Sequence, residues 1–474
     1  MRKIFLFIIV LFPLIVDAQN FIYDGVYYSI KLFTKNVGVA SSNSTKFYKG
    51  YITIPETVVY KDETYTVVSV DNGAFTGSEE LLGVALPNTI TSIGDRAFSG
   101  CNGLTFFVIP QNVSIIGEDA FYGSKNIKEI HIPKSVTSIG CRAFSNLEKL
   151  VLEDGEKPLK LITYYSINDN TPFHICPLVD IYLGRNLDYT NKYAPFRDNT
   201  KLENVVIGDS VSEVGPYLFN GCTGLKEINI SSNLKSIMNY AFSGCSGLTK
   251  IEIPKNVDYI GMNVFYGSSI KEIEIEDGKS VLTFESFLHS PFTYCPIEKV
   301  YLGRNIIANI FNNDVPFTKS NEVVIGDSVT SINDNLFKKC EGLSKIEIGM
   351  NVTNIGNESF GGCNSINDIY CYAPNVPNTS ISAFKDSPIS QASLYVPNLN
   401  IEQYRATKPW SDFKSIKGLS EESAIDIILS NKEYIDTYIS IDGKKKNHPS
   451  QGVNIIRTTN GTFKKSINEI NNDN

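Results

Sequence analysis

The chain has 474 residues, a formal net charge of -8 and charged residues at 20% of the total. An acidic balance with both signs intermixed lacks the basic face that nucleic-acid binding requires, so no nucleic acid is expected among its partners. Length gives no domain count either, because the sequence repeats internally and a repeat array grows along one axis.

At the amino terminus, Met1 to Ala18 combines a basic start (Arg2, Lys3), an apolar run from Ile4 to Val16 and a small residue at Ala18. This predicts a secretory signal peptide over 1-18, cut before Gln19 and too short to span a membrane. No later stretch is apolar enough for a transmembrane span, so a secreted or cell-surface protein is expected.

Next, FIYDGVYYSIKL alternates around an Asp-Gly turn, and a stretched unit follows in which YITIP and VVSV flank the insert YKDETYT. Residues 19-80 are therefore expected to form an N-terminal β cap and first coil.

From Leu81 a pattern recurs about every 23 residues, as in LLGVALPNTITSIGDRAFSGCNG and IKEIHIPKSVTSIGCRAFSN. Positions 1, 4, 6, 10 and 13 are apolar, Pro or Gly stands at 7, Gly often at 14, Ala-Phe at 17 and 18, and Cys or a small residue at 21. Such self-similarity means stacked units, none of which buries its apolar face alone. Apolar 4 and 6 between polar 3 and 5 predict a strand with one buried side, and 10 and 13 a second short extended run. The Ala-Phe pair predicts a single helical or 3₁₀ turn whose Phe enters the core. Phe98, Phe121, Phe144, Phe219, Phe242, Phe265, Phe337 and Phe360 would then stack as a column. Cys101, Cys222, Cys245, Cys340 and Cys363 share position 21. They read as small buried apolar sites, although a disulfide between neighbours such as Cys222 and Cys245, ~4.8 Å apart, stays open.

Units start at Leu81, Leu104 and Ile127, then a long unit occupies 147-177. Four more follow from Leu178, Leu202, Leu225 and Leu248, a second long unit occupies 270-296, and units at Ile297, Ser320, Leu343 and Ile366 complete a solenoid over 81-388 with about 13 units. Both long units end in Cys-Pro and lead into YLGRN, and VVIGDSV recurs at an offset of 118 residues. A duplication of about five units thus overlies the basic repeat. It reflects ancestry alone, or it sets the bulges carrying His174 and His289 on one side to shape a binding face.

Unit by unit, the template resembles the BspA-like leucine-rich repeat family, LxxIxIPxxVxxIGxxAFxxC, over about Tyr51 to Pro397. The resemblance implies a β-rich α/β solenoid: a right-handed coil with a parallel sheet on one face and short helical turns on the other. It also implies adhesion to host or bacterial surfaces and no family-wide catalytic residues. Ala-Phe is missing from the long units and from the unit at Ile297. Residues 389-420, with the only Trp, look like the closing cap of such arrays, a last strand and an amphipathic helix. The tail 421-474 reads as a small β appendage of three strands, similar to the C-terminal sorting domains of type IX secretion or without a sorting role.

Catalytic chemistry is poorly represented. The four histidines are scattered without HExxH or paired-Cys spacing, no phosphate loop or nucleophile elbow is present, and neither metal nor cofactor is expected. More informative is position 3, which alternates in sign through Glu227, Lys250, Glu272, Lys299, Glu322, Lys345 and Asp368. Like charges on adjacent strands disfavour a one-unit slip. Beside it, position 5 supplies the candidate binding face: Tyr182, Val206, Glu252, Glu274, Tyr301, Glu347 and Tyr370. The expectation is a non-enzymatic adhesion module for extracellular-matrix or cell-surface proteins. The alternative is a glycan-binding or carbohydrate-active solenoid using carboxylates such as Glu252 and Glu274.

Overall fold

The computed structural model describes residues 20-42, 47-163, 171-173, 175-285, 289-308 and 315-419, and the backbone of four tail strands between 435 and 468. The chain is a β-solenoid of about 14 turns with little helix. Each regular coil contributes two strands. A four-residue strand from positions 3-6 joins a principal parallel ladder, and a two-residue strand from positions 12-13 joins a short one.

Register in the principal ladder is strict. Ile130 pairs with Leu150, then Ile181, Val205 and Ile228, so position 4 always stacks on position 4. Strand alternation sends positions 4 and 6 inward and leaves 3 and 5 outside. Coils follow one another at one strand spacing, and the core is a continuous apolar strip between the two ladders.

Through that strip runs the aromatic column. Fourteen rings lie in one line: Phe75, Phe98, Phe121, Phe144, Phe173, Phe196, Phe219, Phe242, Phe265, Phe292, Phe317, Phe337, Phe360 and Phe384, with successive centroids 5.0 to 5.8 Å apart. Four coils keep the column through Pro-Phe, at Phe173, Phe196, Phe292 and Phe317, and four others place Leu, Val or Ser before the ring, at Phe219, Phe265, Phe337 and Phe360. Tyr48 covers its first ring at 4.9 Å and Trp410 its last at 5.6 Å.

The turns carrying these rings are not helical, which corrects the expected short helical turns. Among the described residues, helix is confined to Ile401–Ala406 and four 3₁₀ segments. Instead, left-handed residues bracket the Phe. Arg96 and Gly100 flank Phe98, Tyr240 and Gly244 flank Phe242, Asn335 and Lys339 flank Phe337. Two reversals of hand within five residues forbid a helix. In the Pro-Phe coils the residue two before Phe is not left-handed, as expected where Pro drives its predecessor to an extended conformation.

Position 21 proved polar in function. Cys101 Sγ donates to the carbonyl of Phe75 at 3.1 Å, Cys222 to Phe196 at 3.1 Å, Cys245 to Phe219 at 3.2 Å and Cys363 to Phe337 at 3.1 Å. Ser124 and Ser387 do the same with Phe98 and Phe360, at 2.6 and 2.7 Å. The buried carbonyl of the preceding ring accepts a backbone N–H three residues on, as Phe75 does from Ser78 at 3.1 Å, and position 21 gives it a second, small donor that Cys or Ser supplies and Ala cannot. All nine cysteines are buried and none is in a disulfide. Burial pushes the Cys101 and Cys222 thiols up to about 12, so they stay protonated donors at neutral pH.

Each ladder is interrupted twice. In the principal ladder no strand forms between Leu81–Ala85 and Glu129–Ile132, and Glu227–Ile230 does not pair with Lys250–Ile253. At the first gap Phe107 stands where other coils place an aliphatic residue, and its ring packs edge-on against the stacked pair Phe98 and Phe121 at 4.7 and 4.8 Å. Phe106 and Val108, at the outward positions 3 and 5, are exposed. The short ladder breaks between Leu187–Asp188 and Glu213–Val214, and between Ile306–Ala308 and Ser331–Ile332.

At the ends, Asn20–Tyr23, Val26–Ile30 and Asn36–Val39 form an antiparallel meander that continues the short ladder. Ser393–Val396 and Ser415–Gly418 extend the principal ladder, with Tyr404 and Trp410 fully buried beneath them. Four tail strands, Ile435–Ser440, Lys445–Lys446, Gly452–Thr458 and Phe463–Asn468, pair as an antiparallel sheet. The expected signal peptide, His174 and His448 lie outside the described residues.

Two outcomes follow for stability. Phe242→Ala should cost about 3 to 5 kcal/mol, read as a fall in thermal midpoint; no shift would contradict the column. Lys339, exposed and left-handed at φ 60° where other coils carry Gly, should gain about 1 kcal/mol when replaced by Gly, seen as a higher midpoint.

Candidate functional site

Outward positions 3 and 5 become parallel rows on the principal ladder. In position 5, Tyr182 and Val206 lie in register between Val151 and Asn229. After the ladder break, Glu252, Glu274, Tyr301, Val324, Glu347, Tyr370 and Tyr395 follow in order on successive strands. Five of the seven candidate residues thus share one uninterrupted row, and Tyr182 and Val206 belong to another. Glu252 is exposed; the other six are half-buried.

Position 3 runs beside it as Lys250, Glu272, Lys299, Glu322, Lys345 and Asp368, in register on consecutive strands, with Glu227 across the break. Pairing is both along and between rows: Lys345 to Glu322 at 3.3 Å and to Glu347 at 2.7 Å, Lys250 to Glu274 at 3.4 Å, Lys299 to Glu272 at 3.9 Å. Each exposed pair contributes at most about 1 kcal/mol, so together they fix register more than they add stability. Between the rows a shallow basin of about 270 Å³ opens over Glu274, Tyr301 and Val324.

The tyrosines are held, and here the duplicated tracts converge. Tyr182 donates its hydroxyl to Asp154 Oδ2 at 2.7 Å, and Tyr301 to Asp277 Oδ2 at 2.9 Å. Both aspartates come from the EDG of the long units. The Gly of each IGDS tract makes the space, since a Cβ on Gly208 or Gly326 would lie 2.7 or 2.6 Å from the tyrosine oxygen. At the far end Tyr370 and Tyr395 stack at 4.6 Å, and Lys417 sits 5.3 Å over Tyr395.

Beneath each tyrosine lies the arginine of LGRN. Arg185 and Arg304 are fully buried, with 1% and 0% exposed. Arg185 donates to the carbonyls of Pro133, Lys134 and Val136 at 2.8, 3.1 and 2.8 Å, two coils back across the long unit. Arg304 reaches Pro254 and Lys255 at 2.8 and 2.6 Å in the same way. In regular coils an Asn at position 9 satisfies the corresponding carbonyl of the coil before, as Asn112 does for Asn88 and Asn256 for Ser232. The long units carry Gly155 and Gly278 there, and arginine supplies the missing donors. Burial lowers both guanidinium pKa values.

Sequence reading recorded LGRN and IGDS within duplicated tracts but not EDG, and it named neither the arginines nor Asp154 and Asp277. Their recurrence in the same order in both halves was the available signal. Among the described residues no group of His, Cys, Asp and Glu could hold a metal ion, and no helix is long and apolar enough to cross a membrane.

Three comparisons bear on this arrangement. The family model described as BspA type Leucine rich repeat region matches residues 51–170, 165–293 and 287–405. No curated protein matches the sequence. Among solved structures, a leucine-rich repeat protein of Bacteroides ovatus is 22% identical over 84% of this chain and 100% of its own, with a TM-score of 0.38. A leucine rich cell surface protein of Faecalibacterium prausnitzii is 18% identical over 86% and 97%, at 0.28. The pneumococcal vaccine antigen PcpA is 15% identical over 85% and 99%, at 0.20.

One titration checks the tyrosine geometry. The hydrogen bond to Asp154, then burial, pushes Tyr182 up to about 12. A folded pKa above the unfolded value favours the fold at lower pH, and that contribution is lost as the pH rises from about 10. Asp154→Asn should bring ionisation of Tyr182 down towards the ordinary phenol range, read as earlier tyrosinate absorbance, and Tyr182→Phe should remove the late step.

Proposed function

From the premise that the chain belongs to the BspA-type leucine-rich repeat family, we propose that it is an exported, non-enzymatic binding module acting at the cell surface. It engages a protein partner, from the extracellular matrix or another cell's surface, through the principal face between Glu252 and Tyr395. The observation that carries this reading is the unbroken row of seven position-5 residues whose aromatic members are already fixed, Tyr301 by Asp277 and Tyr370 by Tyr395. Pre-set rings lose little side-chain freedom on binding, and aromatic residues dominate interface energies.

Area sets the footprint. Eight strands at ~4.8 Å, each about 13 Å long, give a flat face of roughly 440 Å², about half of the ~800 Å² that a stable complex covers per partner. The partner therefore also covers flanking loops. A carbohydrate-active reading has less support, since Glu252 and Glu274 are adjacent on an open face with Lys250 3.4 Å from Glu274. The same proposal takes the coil as right-handed, the hand of nearly all parallel crossovers, and the tail sheet as a separate appendage.

A surface-plasmon screen against immobilised matrix and cell-surface proteins tests it. Val324→Glu should weaken any partner found by about tenfold or more with an unchanged thermal midpoint. Undiminished binding by Val324→Glu, or glycan cleavage that disappears in Glu252→Gln/Glu274→Gln, would overturn it.

A further inference from the structure

The two breaks in the short ladder are equivalent positions of the duplication, and they are built differently. At both, the Asn of LGRN caps the coil that follows. Asn186 Oδ1 accepts from the backbone N–H of Ser212 and Glu213 at 3.0 and 3.2 Å, Asn305 Oδ1 from Thr330 and Ser331 at 2.9 and 3.1 Å. In the first half Tyr189 then fills the break. Its hydroxyl donates to the carbonyl of Pro216 at 2.8 Å, and its ring lies where Gly215 has no side chain, a Cβ there standing 2.4 Å from the hydroxyl.

In the second half the residue matching Tyr189 is Ala308, and Asn333 and Asp334 match Gly215 and Pro216. The space is a groove of about 690 Å³. Its floor is apolar, from Ala308, Ile332 and Ile355, and its rim carries the amides of Asn333, Asn335, Asn354 and Asn357. Asn357 is pre-oriented: Nδ2 donates to Asp334 Oδ2 at 3.2 Å and Oδ1 accepts from Ser380 Oγ at 2.6 Å.

We propose that this groove binds a neutral glycan, with one sugar ring seated where the first half places the ring of Tyr189. A sugar ring matches the lining, since its C–H face covers an apolar floor while each hydroxyl both donates and accepts, as the paired C=O and NH₂ of an amide require. A charged ligand does not match, because the lining holds a single carboxylate and no Lys or Arg. A tyrosine from a partner peptide fits less well, because its aromatic edge offers no partner to the donors and acceptors that the rim amides still present. This site lies on the short-ladder side, away from the principal face, and does not depend on the reading given for that face.

The test is binding of the mature chain to a printed array of neutral oligosaccharides, beside an array of tyrosine-containing peptides. Wild type should be retained on neutral glycans. Ala308→Tyr, which transplants the plug of the first half, should weaken that binding by about tenfold or more at an unchanged thermal midpoint, whereas Val324→Glu on the principal face should not. Should Ala308→Tyr fail to fold, Asn333→Ala/Asn357→Ala must show the loss. Retention on no glycan, retention on peptides alone, or undiminished binding by the folded variants overturns the assignment.

Discussion

Everything in this molecule answers to the spacing of one parallel strand. A coil can advance only ~4.8 Å over its predecessor, which is also close to the distance at which one phenyl ring covers the next. The column of fourteen rings and the two ladders therefore demand the same step, and a coil that satisfies one satisfies the other. Whatever disturbs the step must be compensated within the coil. Gly at position 14 is an example: a Cβ on Gly94, Gly117 or Gly140 would come within 2.4 to 2.5 Å of the coil before.

Insertions are the severe disturbance. Each long unit removes the Asn that would satisfy the preceding coil's carbonyl, and Arg185 or Arg304 spans two coils to replace it. A guanidinium presents several donors in a rigid plane, so one side chain closes several carbonyls at once. The same tract then supplies Tyr to the principal face and Asn to the short ladder. Residues that repair the insertion and residues that shape the surface are neighbours in sequence, so the surface departs from regularity where the core does.

Much of this was legible in the sequence. Apolar spacing gave the strands, their register and the outward rows, because burial on one side of a strand leaves a period of two. The Phe of each Ala-Phe pair announced the column, although Phe173, Phe196, Phe292 and Phe317 were hidden behind Pro. The turn type was misread, because φ at Arg96 or Tyr240 is set by the coil's path and no local propensity of Arg or Tyr points to it. The role of Cys at position 21 was read from its hydrophobicity, whereas what selects it is a weak donor facing a buried carbonyl. For the candidate face, the row from Glu252 to Tyr370 followed from periodicity, while its separation from Tyr182 followed from a ladder break that no single residue marks.

The interruptions of the two ladders also have a mechanical meaning. Those in the principal ladder fall at the coil of Leu104 and between the coils of Leu225 and Leu248; those in the short ladder fall between the coils of Leu178 and Leu202 and between those of Ile297 and Ser320. No cross-section of the rod is cut on both sides, like staggered joints in masonry, and the phenylalanine column passes through all four. A solenoid jointed in this way has no natural crease. It bends as a beam bends, sharing strain over many coils, so residues far apart along its axis keep a fixed separation.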